Sequence, residues 1–173
     1  MSAARKPVIM RKLTQEWYAG YASSDPANEA ELELLDVAGK LQRFTWGEIK
    51  WLCYVRELPS ATSGHESSLE SARSPERLLR RRFSSRPRTV GLWLKITFTD
   101  GDEIEGLGAN DRSLVGGAGL LLTPPDTRSS TQRIFVPNGA IQDLTVLAVI
   151  GASTPGRPQP LAQPDLFDND RPS

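Results

Sequence analysis

The stretch that decides the fold is residues 91–106, GLWLKITFTDGDEIEG. Apolar and polar side chains alternate from Leu92 to Thr99, which is the period-two pattern of a half-buried β-strand. Asp100-Gly101 supplies a turn, because glycine tolerates positive φ, and a second strand is predicted over residues 103–106. This region is therefore predicted to begin with a β-hairpin.

An earlier part of the chain repeats this layout. Residues 8–13 and 17–20 are two β-like segments around a short polar turn. Further on, residues 44–49 align with residues 135–141, one residue longer, and each segment is a strand, a Gly-containing turn and a strand that begins with Ile. About five short strands per copy, with turns roughly every ten residues, are typical of a small barrel.

Composition divides the chain into four regions. Residues 8–56 and 91–150 are the two barrel-like units, so the fold is predicted to be mainly β with two tandem five-stranded units. Residues 57–90 form a Ser/Arg-rich linker, in which Ser74-Pro75-Glu76 predicts the start of a short helix. Residues 151–173 contain five prolines and are predicted to be a disordered tail. Units this small are only marginally stable alone, so we expect them to pack together.

Charge and cysteine content limit the functional classes. The chain has 21 basic and 21 acidic side chains, so no global field directs it to nucleic acid or to a membrane. The single cysteine, Cys53, excludes an internal disulfide and is typical of a reducing compartment. The first ten residues lack the apolar segment of a secretion signal, and no apolar run approaches the ~20 residues of a membrane span. We therefore expect a cytoplasmic location.

The sequence offers no catalytic constellation. His65 is the only histidine and lies in the linker, while Cys53 lies inside a predicted apolar strand, where a small buried side chain is the simpler interpretation. The glycines at 116–119 lack the lysine and the strand-to-helix context of a phosphate loop. We therefore expect a protein that is not an enzyme, with no catalytic residues, no metal ligands and no cofactor.

The strand layout resembles the Sm-like and SH3-like small barrels. The second copy also resembles an uncharacterised bacterial domain that is often found beside signalling modules. The segments that carry this second resemblance are Asp100-Gly101 with Gly106, Leu120–Leu122, Thr123–Asp126 and Arg133–Val136. The Arg-Gly pair that RNA-binding Sm proteins carry near their last turn is absent, so nucleic acid is not an expected partner.

A basic segment suggests a phosphate-binding site. Residues 77–88 hold six arginines, and guanidinium groups match phosphate oxygens bidentately. Arg82 and Arg86, followed after residues 87–110 by Asp111, Ser113 and Gly116, resemble the signature of PilZ domains, which are receptors for cyclic di-GMP. The resemblance implies that the arginines grip phosphate and stack on guanine, while the Asp and Ser contact the other face of the ligand. A solvated linker helix that docks on the barrels is the alternative interpretation.

The tail carries a second short motif. Gln163, Leu166 and Phe167 resemble the peptides by which bacterial replication and repair proteins dock on the sliding clamp. The resemblance implies that the two apolar side chains fill a pocket while Gln163 hydrogen-bonds at its rim.

Together these patterns predict a non-enzymatic binding or adaptor protein, with a place in bacterial signalling as one setting. A protein partner is expected. A cyclic di-GMP receptor and a clamp-associated accessory factor are the two alternatives. A homodimer is also left open, since exposed strand edges favour pairing between chains.

Overall fold

A computed structural model describes residues 4–60, 63–65, 75–125 and 130–151. These residues contain eleven strands: β1 (Arg5–Lys12), β2 (Glu16–Ser23), β3 (Glu31–Leu35), β4 (Leu41–Thr45), β5 (Ile49–Val55), β6 (Ser63–His65), β7 (Gly91–Phe98), β8 (Glu103–Gly108), β9 (Gly119–Thr123), β10 (Thr131–Pro137) and β11 (Ile141–Ile150). The prediction of a mainly β protein is confirmed. Within the described residues, all helical segments are short 3-10 turns.

The strands form a single antiparallel sheet rather than two separate ones. Its order is β11-β7-β8-β9-β10-β5-β1-β2-β3-β4, and β6 pairs with β2. The sheet does not close on itself, so the prediction of two tandem small barrels is not confirmed. The physical reason is the pairing of β10 with β5, which joins the fourth strand of the second copy to the fifth strand of the first.

In the part of the linker that the structure describes, the predicted helix is replaced by a 3-10 turn, Pro75–Leu78. Arg80 takes a positive φ of 60°, and its N–H donates to the carbonyl oxygen of Glu103 at 2.9 Å. The backbone therefore bonds to β8 instead of continuing a helix. Ser74, the predicted cap of this helix, and residues 152–173 of the predicted tail lie outside the described residues.

The internal repeat is visible in the strand register. In each half the fifth strand lies beside the first, and the second, third and fourth strands follow in order. Met10 pairs with Tyr18 in the first hairpin, and Ile96 pairs with Ile104 at the equivalent place in the second. A 3-10 turn precedes the last strand in both halves, Trp46–Glu48 in one and Asn138–Ala140 in the other. The two turns have equal length, so the sequence alignment that made residues 135–141 one residue longer is wrong. Residue 44 corresponds to residue 136.

One glycine recurs at the same place in both halves. Gly20 lies opposite Val8 and Gly106 lies opposite Leu94, which are equivalent positions in the two hairpins. A Cβ on Gly20 would lie 2.4 Å from the Leu35 carbonyl oxygen. A Cβ on Gly106 would lie 2.9 Å from the Leu122 Cβ. In each half, the second strand must therefore lack a side chain where the third strand crosses it.

The core is shared between the halves through β5. All seven residues of β5 are buried, and its two faces belong to different apolar clusters. Trp51, Cys53 and Val55 lie in a cluster that also holds Leu94, Ile96 and other residues of the second half. Ile49, Leu52 and Tyr54 lie in a cluster built mainly from the first half together with Phe135. Burying apolar surface in common stabilises the two halves together.

A buried lysine also links the halves. Lys50 occupies the irregularity where the β1–β5 register shifts, and only 2% of its side chain is exposed. Its ammonium group pairs with the carboxylates of Asp100 and Asp102 in the turn between β7 and β8. The same group lies 5.2 Å from the ring centre of Trp51 and 5.1 Å from that of Phe98. A charge this deeply buried requires such partners.

Replacing the recurring glycine is the first test of this fold. We expect Gly20→Ala to lower the free energy of unfolding by about 2–3 kcal/mol, because the new Cβ meets backbone that cannot move cheaply. Gly47→Ala is the matched control, since a Cβ there meets nothing within 4 Å. Urea unfolding followed by tryptophan fluorescence measures both; equal stability of the two variants would contradict the close crossing.

The Lys50 link predicts a dependence on pH. Burial acts to raise the pKa of Asp100, but hydrogen bonds from Lys50 and from the Asp102 N–H, with the charge of Lys50, outweigh it and leave that pKa below its usual value. Because the folded pKa is lowered, this stabilisation is complete above the unfolded value of about 4 and is lost as the pH falls through the folded pKa. We expect the free energy of unfolding to fall correspondingly below about pH 4.

The Lys50→Met variant isolates this contribution. We expect it to lose about 3 kcal/mol at neutral pH, because two carboxylates lose their cation, and to show a weaker acid dependence than the wild type. Lys50→Met combined with Asp100→Asn and Asp102→Asn should recover part of the neutral loss. Urea titrations at a series of pH values provide the comparison, and parallel curves for wild type and Lys50→Met would refute this assignment.

Candidate functional site at the junction of the two halves

The arginine-rich segment docks on the second hairpin through a buried carboxylate. Glu105, on β8, is only 4% exposed. It accepts hydrogen bonds from Arg82 at 2.7 Å, from the Phe83 N–H at 3.2 Å and from the Trp93 Nε1–H at 3.0 Å. The Phe83 and Trp93 rings meet edge to face, with centres 5.7 Å apart. The segment is thus fixed by charge and by aromatic packing.

The docked arginine leaves little space for a ligand. Arg82 also reaches Glu103 at 3.4 Å, and the crevice that these residues share with Arg80, Arg81 and Lys95 is too narrow to admit a water molecule. A phosphate group that used Arg82 would have to displace its carboxylate partners.

The other predicted ligand residues also have partners within the protein. Arg86 donates to the Val149 carbonyl oxygen of β11 at 3.2 Å. Asp111 accepts the Ser113 N–H at 2.8 Å and thereby caps the turn Arg112–Leu114. The N–H of Gly116 donates to the Arg112 carbonyl oxygen at 3.0 Å. The two arginines are thus held by β8 and β11, whereas Asp111, Ser113 and Gly116 build their own loop, and the cyclic di-GMP assignment stays a prediction.

The clamp-like motif and the cysteine do not form a site among the described residues. Gln163, Leu166 and Phe167 of the clamp-like motif lie outside the described residues. The Cys53 thiol is fully buried; burial, together with the charge of Glu76, raises the pKa of Cys53 well above its ordinary value. A thiol with so little thiolate is a poor nucleophile.

A pocket opens where the two halves join. It has a volume of about 260 Å³. Its walls come from four strands and one loop, and the lining residues are Lys6, Ser24, Tyr54, Leu121, Gln132 and Arg133. The β5–β10 pairing creates it, since Arg133 lies directly opposite Tyr54 in that register. Both halves are needed to form its walls.

The charged side chains that line this pocket are both cations. Lys6 and Arg133 contribute two positive charges, and none of the described residues that line the pocket is a carboxylate. The Tyr54 hydroxyl donates to the Ser23 carbonyl oxygen at 2.6 Å. Burial, with smaller effects of Glu29 and Asp25, raises the pKa of Tyr54 despite the nearby Arg133. The phenol therefore stays protonated at neutral pH.

Sequence reasoning missed Lys6 and Arg133 as a pair. They are 127 positions apart (133 minus 6), and although Arg133 begins the segment Arg133–Val136, no motif contains both residues. Only the pairing of β5 with both β1 and β10 brings their strands to either side of the same strand. Nothing in the local pattern of either strand predicts that neighbourhood.

The chain belongs to a family of unknown function (DUF6982), whose family model matches residues 4–148. No curated protein and no solved structure matches it significantly. Among the described residues, no helix is long and apolar enough to cross a membrane. The same residues contain no group of three or more His, Cys, Asp or Glu side chains placed to hold a metal ion.

The docked segment gives a prediction for Arg82. We expect Arg82→Ala to lower the free energy of unfolding by about 1 kcal/mol, because Glu105 loses a charged partner but keeps two N–H donors. Arg81→Ala is the matched control, since Arg81 is exposed and its side chain contacts only the Arg77 carbonyl oxygen among the bonds described. Urea unfolding measures both, and equal stabilities would contradict the docking role.

The same variants test the cyclic di-GMP prediction by calorimetric titration. Binding to the wild type that is lost in Arg82→Ala and kept in Arg81→Ala would support a receptor. No heat with the wild type, or equal binding by both variants, would contradict the assignment of Arg82.

Proposed function

We propose that this protein is a non-enzymatic binding protein with an adaptor role, and that it binds a small anionic group in the pocket between its halves. In this proposal each half of the chain is one Sm/SH3-like unit, and the two units share one sheet. The observation that carries the proposal is the pair of cations, Lys6 and Arg133, at the junction pocket.

These two cations differ from the cations that form ion pairs within the protein. Lys50, Arg11, Arg82 and Lys95 all pair with carboxylates. The side chains of Lys6 and Arg133 have no hydrogen-bond or ion-pair partner among the described residues. A guanidinium and an ammonium group at one pocket favour phosphate or carboxylate, with the guanidinium able to bind two oxygens at once.

The other lining groups suit binding rather than proton transfer. The raised pKa of Tyr54, caused mainly by burial, keeps its hydroxyl protonated, and that hydroxyl already donates to Ser23. A general base has to be within reach of its substrate in the deprotonated form. Ser24, Gln132 and Leu121 supply polar and apolar contacts, which position a ligand without reacting with it.

The size of the pocket limits the ligand. A volume of about 260 Å³ is slightly below the range of sites for drug-sized molecules, which is roughly 300–1,000 Å³. The pocket therefore suits a phosphate or carboxylate group with a small attached portion, presented as a small metabolite or as the charged end of a larger partner.

A titration with pyrophosphate tests this proposal. We expect addition of pyrophosphate to the ¹⁵N-labelled protein to shift amide signals of β5, β10 and residues 23–25, and the affinity to fall with rising salt. Arg133→Gln and Lys6→Gln should each weaken binding about tenfold, because each removes one charge-assisted hydrogen bond.

Arg43→Gln is the matched control, since Arg43 is an exposed arginine on β4 that pairs with Glu33 and does not line the pocket. Its affinity for pyrophosphate should equal that of the wild type. Shifts scattered over the basic surface, or equal weakening in all three variants, would show non-specific attraction and would overturn the proposal.

A further inference from the structure

The internal repeat leaves two sheet edges without a second neighbouring strand, although Arg86 bonds the Val149 carbonyl oxygen near the end of β11. Within the described residues, β11 and β4 are the end strands of the sheet, and each pairs with one neighbour only. β11 is the fifth strand of the second half, and β4 is the fourth strand of the first half. At the junction inside the chain, the fifth strand of the first half, β5, pairs with the fourth strand of the second half, β10. The two free edges are therefore a fourth strand and a fifth strand, which is the combination that pairs inside the chain.

The β11 edge is long and apolar. It spans ten residues, and Val146, Leu147 and Val149 are exposed large hydrophobic side chains, with Val146 50% exposed. The equivalent strand β5, which has β10 as its second neighbour, is buried throughout. A long exposed edge with apolar side chains favours the addition of another strand.

The β4 edge carries a matching side chain. Leu41 is 44% exposed and is the first residue of β4. The equal spacing of the two 3-10 turns makes residue 41 equivalent to Arg133 and residue 146 equivalent to Tyr54. Arg133 and Tyr54 are opposite each other in the β5–β10 pairing. The same register between two chains would place Leu41 of one copy opposite Val146 of the other.

We propose that β11 of one chain pairs antiparallel with β4 of a second copy, in the register of the internal β5–β10 junction. The contact is heterologous, so repeated addition produces a head-to-tail oligomer, closed or open according to the rotation between copies. Its apolar centre is the Leu41–Val146 pair, at the place where the internal junction has the polar pocket. The proposal concerns a different surface from the anion site and does not depend on it.

The first experiment measures mass in solution. We expect size-exclusion chromatography with light scattering to give the full-length wild type at least twice the mass of one chain, rising with concentration. Val146→Lys should return it to the mass of a single chain, because a charge on the edge strand blocks pairing. Val115→Lys is the matched control, since Val115 is 92% exposed in the loop after β8 and should leave the mass unchanged.

The second experiment tests the register by disulfide formation between chains. Leu41→Cys and Val146→Cys chains, mixed and mildly oxidised, should form a mixed dimer, whereas neither should dimerise alone. Replacing Gln42 instead of Leu41 by Cys is the register control and should reduce the yield at least fivefold, because neighbouring side chains point to opposite faces of a strand. The native Cys53 is buried and should not react.

Three results would overturn the proposal. A wild type that keeps the mass of one chain at all concentrations would refute the assembly. Dimers formed by Val146→Cys alone would show that β11 pairs with a second β11 instead of with β4. A single-chain wild type that associates only when shortened after Gly151 would assign the β11 edge to the chain's own residues 152–173.

Discussion

The structure depends on β5 being hydrogen-bonded along both edges. β1 pairs with one edge and β10 with the other, so the strand that completes the first half is also the strand on which the second half is built. Each half has about the size at which an isolated unit buries too little apolar surface to be secure. Pairing at β5 removes two exposed edges and lets one apolar cluster draw residues from both halves. The two copies of the repeat are therefore expected to fold as one cooperative unit.

Buried ion pairs also connect distant parts of the chain. Lys50 extends from β5 to two carboxylates in the second hairpin, Arg11 pairs with Glu76 of the linker at 2.6 Å, and Glu105 holds Arg82. Each pair connects segments that are distant in the sequence, and each places a charge where only a specific partner offsets the cost of burial. The side chains of Lys6 and Arg133 at the junction pocket have no such partners among the described residues, and that contrast is the reason for proposing a ligand site there.

The repeat explains both the pocket and the free edges. The two copies are joined by pairing the fifth strand of one with the fourth strand of the other. This arrangement leaves one fourth strand and one fifth strand at the ends of the sheet. At the internal junction the facing residues are Tyr54 and Arg133, whereas the corresponding residues at the ends are Val146 and Leu41, both apolar and exposed. The residues at these equivalent positions are thus polar at the internal junction and apolar at the two ends of the sheet.

The amino-acid sequence by itself determined where most strands lie and which glycine forms the turn after β7. The alternation of residues 92–99 predicts β7, and Asp100-Gly101 predicts the turn after it, because these depend on neighbours in the chain. Only the tertiary structure decided that β10 lies beside β5, that Lys50 meets carboxylates 50 and 52 positions away, and that Arg82 is held by Glu105. The reason is that side-chain alternation specifies which face of a strand is buried, whereas the hydrogen bonds that select its neighbours come from a backbone that is the same for nearly every residue.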